Sequence, residues 1–129
     1  MSLTLYDACV PTYVRLMRAL SGVLDKGAAF AAEREVAPAV LLDARLFPDM
    51  WALAEQVRAV ANHGPRGPAR LAGQQPPKFE GDDAGFDGLK TRFAWAVAYA
   101  EGIDRAAFDG AETREIVFPA GDTQPKLLG

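Results

Sequence analysis

At 129 residues, 50% of them apolar and 24% charged, the chain is sized for one domain that buries a core without disulfides or metals. A net charge of −3 argues against the clustered Lys and Arg surface that nucleic acid demands, and a single cysteine excludes an internal disulfide. No apolar run reaches bilayer-spanning length, and the opening M-S-L-T-L-Y-D is no signal peptide, so a cytoplasmic protein with no nucleic-acid and no membrane partner is expected.

Alanine and leucine dominate the apolar residues, which favours helices. The first long helix is predicted over Leu5–Ala32. Val10, Tyr13, Val14, Met17, Leu20 and Leu24 recur at three- and four-residue steps and form one buried stripe. Pro11 lies inside that pattern, so the regular helix either begins near it or bends there. Leu16, Val23 and Phe30 fall off the stripe and hint at a second contact. Pro38 suits the first turn of a short helix over Ala39–Ala44.

The second long helix is predicted over Asp49–Asn62, opened by Phe47-Pro48-Asp49, with Met50, Leu53, Ala54, Val57, Val60 and Ala61 buried. Pro65 and Pro68 each remove a backbone donor and crowd a carbonyl one turn earlier, costing roughly 3 kcal/mol in a helix interior. A break or kink is therefore expected between Asn62 and Ala69, with a short resumption over Ala69–Ala72. Gln74–Gly85 reads as a polar loop, with Asp82-Asp83 solvated.

A third helix follows over Phe86–Glu101, with Phe86, Leu89, Phe93, Ala96, Val97 and Ala100 as its stripe and Trp95 and Tyr99 on another side. Asp104 can cap a short turn through Phe108, and Arg114–Phe118 alternates as a weak strand. The tail from Ala120 has no period. The expected fold class is all-α, an up-and-down bundle with three long helices in one domain over residues 1–129.

The segments L-Y-D-A-C-V-P, S-G-V-L-D-K-G-A-A, L-L-D-A-R-L-F-P-D-M, N-H-G-P-R-G-P-A-R-L-A-G, P-K-F-E and A-E-T-R-E-I-V-F-P resemble an uncharacterised bacterial family. That family is similar to a branch of the DinB/YfiT-like superfamily of four-helix bundles, which are taken to be metal-dependent. The resemblance runs from Leu5 to Phe118 and implies a bundle fold but no assigned reaction. Similar members continue past the strand into a second strand and a long final helix, which this sequence, ending at Gly129, does not contain. They also carry helix formers where this chain has Gly64, Pro65 and Pro68. In metal-binding relatives one histidine comes from the second helix and two from the last. The counterpart of the first is His63, the chain's only histidine.

His63 is therefore the candidate metal ligand, with zinc or nickel the metal implied in complete relatives. One imidazole does not specify a metal, and a catalytic site takes three protein ligands. Asp7, Cys9 and Glu55 are the other donors worth naming, and no stoichiometric metal is expected on a single chain. A nucleophilic Cys9 would need a base and a lowered pKa, so a small buried hydrophobe is the simpler reading. Asp43 and Asp49 suit a solvated face and a helix start better than acid–base chemistry. Trp51, Trp95 and Tyr99 suit packing against helices or a partner subunit better than a ligand pocket. Gly64 and Gly67 lack the preceding strand of a phosphate-binding fingerprint.

Two functional classes follow. One is a non-catalytic helical protein that self-associates as a homodimer through apolar helix faces, with a small-molecule ligand also conceivable. The other is a metal-dependent transferase or hydrolase of small molecules, with His63 holding the metal. A contiguous apolar patch on the third helix (Trp95, Tyr99) and the first (Leu16, Val23) is the surface expected to drive association.

Overall fold

The computed structural model describes residues 2–129. Helix α1 spans Leu5–Glu33, α2 Pro38–Leu42, α3 Leu53–Leu71 and α4 Gly85–Gly102. Two short 3₁₀ turns follow, Arg105–Phe108 and Ala111–Thr113. Strands β1 (Glu115–Val117) and β2 (Lys126–Leu128) then pair antiparallel, Ile116 opposite Leu127. The mostly helical bundle class read from the sequence is the one observed, and the second strand lies in the tail that showed no period. A three-residue strand whose residues are all exposed leaves no alternation to detect. Among the described residues no helix is long and apolar enough to cross a membrane.

Helix α1 begins where Thr4 caps it. The Asp7 amide donates to Thr4 Oγ1 at 3.1 Å, and the Asp7 carboxylate accepts from Arg105 Nη2 at 2.6 and 2.7 Å. Pro11 sits exposed on α1 without ending it. Val10, Val14, Met17 and Leu24 are buried as the stripe requires. Helix α4 buries Phe86, Leu89, Phe93, Ala96 and Ala100 and packs against both α1 and α3. Each large side chain taken fully out of water here, Phe93, Met17, Leu24 and Leu89 among them, contributes about 1.5–3 kcal/mol.

Helix α3 departs from the sequence reading at both ends. Its start lies at Leu53, four residues after Asp49. Phe47-Pro48-Asp49-Met50 is instead a turn closed by the Met50 amide on the Phe47 carbonyl at 3.0 Å. Proline suits the second position of such a turn as well as the first turn of a helix, so the local signal was ambiguous. The helix proper is capped by Glu55, whose carboxylate accepts from the Ala52 amide at 3.1 Å. Met50, Leu53 and Val60, expected on the buried face, are each more than a third exposed.

The break expected between Asn62 and Ala69 does not occur, because α3 runs unbroken through Pro65 and Pro68 to Leu71. Packing overrides the lost hydrogen bonds. Both proline rings are among the most fully buried side chains, and the two glycines between helix turns allow α1 close. A Cβ on Gly64 would lie 2.5 Å from Met17 Sδ, and one on Gly67 would lie 3.3 Å from the Tyr13 hydroxyl. Glycine is required at 64 because a buried methionine occupies the space of its missing side chain.

The 74–84 segment is the loop expected, and most of its residues are exposed, but Phe79 and Asp83 turn inward. Phe79 packs edge-on to Trp95, with ring centroids 5.3 Å apart, and the Tyr99 hydroxyl donates to Gln74 Oε1 at 2.9 Å. The second apolar side of α4 is thus covered by the chain's own loop, which removes it from the expected exposed patch.

Candidate functional site

Two ion-pairing flanks locate what remains open. On α1, Arg18 bonds Glu101 of α4 at 2.7 Å and Asp25 pairs with Lys90 of α4. On α3, Asn62 accepts from Arg92 of α4 at 2.6 Å, and Arg58 and Arg92 share the Asp83 carboxylate. These flanks face α4. The opposite flanks border the α1–α3 groove on the side away from these ion pairs, where α4 comes close only at Gly27, against which Phe86 lies.

That side carries two stripes with alternating steps of four and three residues. On α1 it is Cys9, Tyr13, Leu16, Leu20, Val23, Gly27 and Phe30. On α3 it is Leu53, Gln56, Val60, His63 and Gly67. Steps of this kind average 3.5 residues and describe a helix face meant for a straight packing neighbour. Leu16 is 59% exposed, Val23 58% and Phe30 47%. The antiparallel register set by Met17 against Gly64 and Tyr13 against Gly67 puts His63 at the level of Leu16 and Leu20. His63 itself is exposed, on the rim of this groove.

The other candidate donors do not join it. Asp7 is committed to Thr4 and Arg105, hydrogen bonds that hold its carboxyl below the usual range. Glu55 caps α3 two turns away from His63. Asp43 and Asp49 are exposed, one ending α2 and the other in the turn before α3, and Trp51 is exposed beside it. Among the described residues no three His, Cys, Asp or Glu side chains gather to hold a metal ion. Among the described residues the donor set of one chain therefore does not fit the three-ligand centre that the sequence resemblance implied.

Cys9 is half-buried at the start of the α1 stripe, and burial pushes its thiol from an ordinary 9.0 up to about 11. The thiol stays protonated at neutral pH, the reverse of an activated nucleophile. Its alkylation by iodoacetamide at pH 8 is expected to run about 100-fold slower than that of a free thiol, in step with the smaller thiolate fraction. Alkylation at the free-thiol rate would show that the first turns of α1 open readily.

Sequence reasoning missed one cluster. Asp83, read as solvated, is half-buried, and its Oδ2 accepts from Arg58 Nε at 3.1 Å and from Arg92 Nη1. Desolvation alone would raise its pKa, but the hydrogen bonds from Arg58 and Arg92 outweigh it and hold the carboxyl below its ordinary value. Nothing in the linear spacing of residues 58, 83 and 92 announces the cluster.

Residues 5–129 match the model of a family described as a domain of unknown function, DUF1993. The chain belongs to this family. The DUF1993 bundle is also similar in structure and sequence to a crystal structure of a DinB family member protein from Shewanella denitrificans. The two are 33% identical with a TM-score of 0.81, over 95% of this chain and 70% of that one. The chain is thus one of an uncharacterised DinB-like family, as its motifs implied. Comparison with curated proteins finds no match.

Proposed function

We propose that this DUF1993 chain is an association module of the DinB-like type, pairing in the cytoplasm with a second copy of itself through the open α1–α3 groove. One observation carries the reading. Both helices that line the groove present stripes of 3.5-residue periodicity, with Leu16, Val23 and Phe30 on one and Leu53 and Val60 on the other. A symmetric pair would set α1 of each copy beside α3 of the other, the arrangement a four-helix seam requires. Light scattering at micromolar concentration is expected to report a dimer. Val23→Glu, at a position already in water in the monomer, should leave the circular dichroism unchanged. It should weaken association about 100-fold or more, the effect of a charge desolvated at an interface centre. A monomer at every concentration, or a Val23→Glu protein that dimerises as the parent does, overturns the proposal.

His63 lies on the same groove, which favours a second reading: a metal-dependent transferase or hydrolase of small molecules, with His63 one ligand and the others brought by whatever covers the face. Metal analysis of untagged protein separates the two. One zinc or nickel per chain, lost on His63→Ala, supports the enzyme reading, and its absence from a well-formed dimer removes it.

A further inference from the structure

We propose that a second site, the cleft between the last turn of α3, the 74–78 segment and β1, binds a small organic anion. Its phosphate or carboxylate head would rest on Arg66, Arg70 and Lys78, and its apolar body against Phe118 and the Pro76-Pro77 wall. The cleft encloses about 460 Å³, within the range of small-molecule sites.

Charge sets the class of ligand. The chain as a whole is acidic, yet four of its 14 Lys and Arg residues line this one cleft: Arg66, Arg70, Lys78 and Arg114. Among the described residues none of the four has a carboxylate partner. The only acid in the lining, Glu115, is already paired with Lys126 at 3.4 Å. Arg114 is fixed from behind by backbone carbonyls, those of Leu71 and of Ala107 (3.3 Å), so its charge stays uncompensated beneath the cleft. Cations that line one cleft without a carboxylate partner repel one another, and an anionic guest relieves that repulsion.

Geometry sets the form of the ligand. The Arg70 guanidinium lies 4.8 Å from the centroid of the Phe118 ring, a cation–π contact that puts a cation and an aromatic face side by side in the cleft. Pro76, Pro77, Ile116 and Phe118 give the cleft apolar walls beside the charged head site. An acidic surface elsewhere disfavours a polyanion, so the guest is a small molecule with one charged end and one apolar end.

The test is calorimetric titration of the intact protein with phenyl phosphate and with benzoate, beside inorganic phosphate and benzyl alcohol. At least one aromatic anion is expected to saturate with a Kd below about 1 mM, and the stronger of the two identifies the head group. Lys78→Ala, on an exposed loop position, and Arg70→Ala should each weaken it about tenfold with unchanged circular dichroism, as should a rise in salt. Binding no stronger than that of benzyl alcohol overturns the proposal. So does binding that ignores Lys78→Ala, or inorganic phosphate bound as tightly as phenyl phosphate.

Discussion

An Asp83→Ala protein is expected to lose roughly 2–4 kcal/mol of stability, because one carboxylate is shared by two guanidiniums where α3, α4 and the 74–84 segment meet. Asp83 and Arg92 keep 21% and 14% of their side-chain surface, while Arg58 keeps 36%, so solvent moderates the full cost of breaking a buried pair. Arg92 has little freedom to compensate. Its Nη2 is bound to Asn62, its guanidinium lies 5.2 Å from the Phe79 ring centroid, and its Nε is buried without a partner. Removing the carboxylate leaves two like charges facing each other and loosens the cover over Trp95.

The same cluster makes stability depend on pH with a definite sign. The folded Asp83 carboxyl titrates below its ordinary 3.8, so its contribution is fully present above that value and is lost as pH falls through the lower folded value. The parent should therefore lose stability relative to Asp83→Asn below about pH 4 and differ from it by a constant amount above. Urea melts at pH 7 and pH 3 check both statements. An alanine variant within about 0.5 kcal/mol of the parent at pH 7 would mean that the cluster is ornamental.

Gly64→Leu should cost about 3 kcal/mol, near the top of the range for overpacking a core. Even a lone Cβ there would stand 2.5 Å from Met17 Sδ and 3.0 Å from its Cε. Met17 is 1% exposed, so its thioether cannot swing out to water, and the strain passes to the α1–α3 spacing. Intrinsic helix propensity works the other way by about 1 kcal/mol and does not offset it. A double-mutant cycle with Met17→Ala is the decisive measurement. The second substitution opens the volume the first one needs, so the pair should be more stable than the sum of the singles by at least about 1 kcal/mol. Strict additivity would show that the two side chains do not compete for space.

The long elements were legible because their stripes extend over many turns. Val10 to Leu24 on α1 and Phe86 to Ala100 on α4 repeat often enough to fix both the helix and its buried face. What failed was punctuation. Pro65 and Pro68 end a helix in isolation, but buried rings and a methionine lodged against Gly64 outweigh two missing hydrogen bonds, which no local rule registers. Pro48 erred in the other direction, marking a turn that resembled a helix start.

The groove was half visible. Leu16, Val23 and Phe30 stood out, but in the matching stripe Leu53 and Val60 were read as buried and His63 fell within the break expected between Asn62 and Ala69. His63 fell one residue past the helix expected over Asp49–Asn62, whereas α3 carries it in mid-helix, and its place on the groove depends on α1 being close. The basic cleft joins residues near 66–78 to residues near 114–118, a juxtaposition set by the β1–β2 hairpin folding back on α3. Spacing along the chain does not encode it.

The prolines inside α3 also act before the helix exists. With φ already fixed near its helical value at positions 65 and 68, the unfolded chain samples fewer conformations at these two residues. Ordering them therefore loses less entropy than ordering the same positions of a proline-free helix, which recovers part of what two absent amide protons forfeit. Gly64 and Gly67, interleaved with them, are the most permissive residues available and work in the opposite sense. The segment Gly64-Pro65-Arg66-Gly67-Pro68 thus sets stiff and loose residues side by side, so the entropy that the glycines add to the disordered chain in allowing close approach to α1 is partly offset by the prolines.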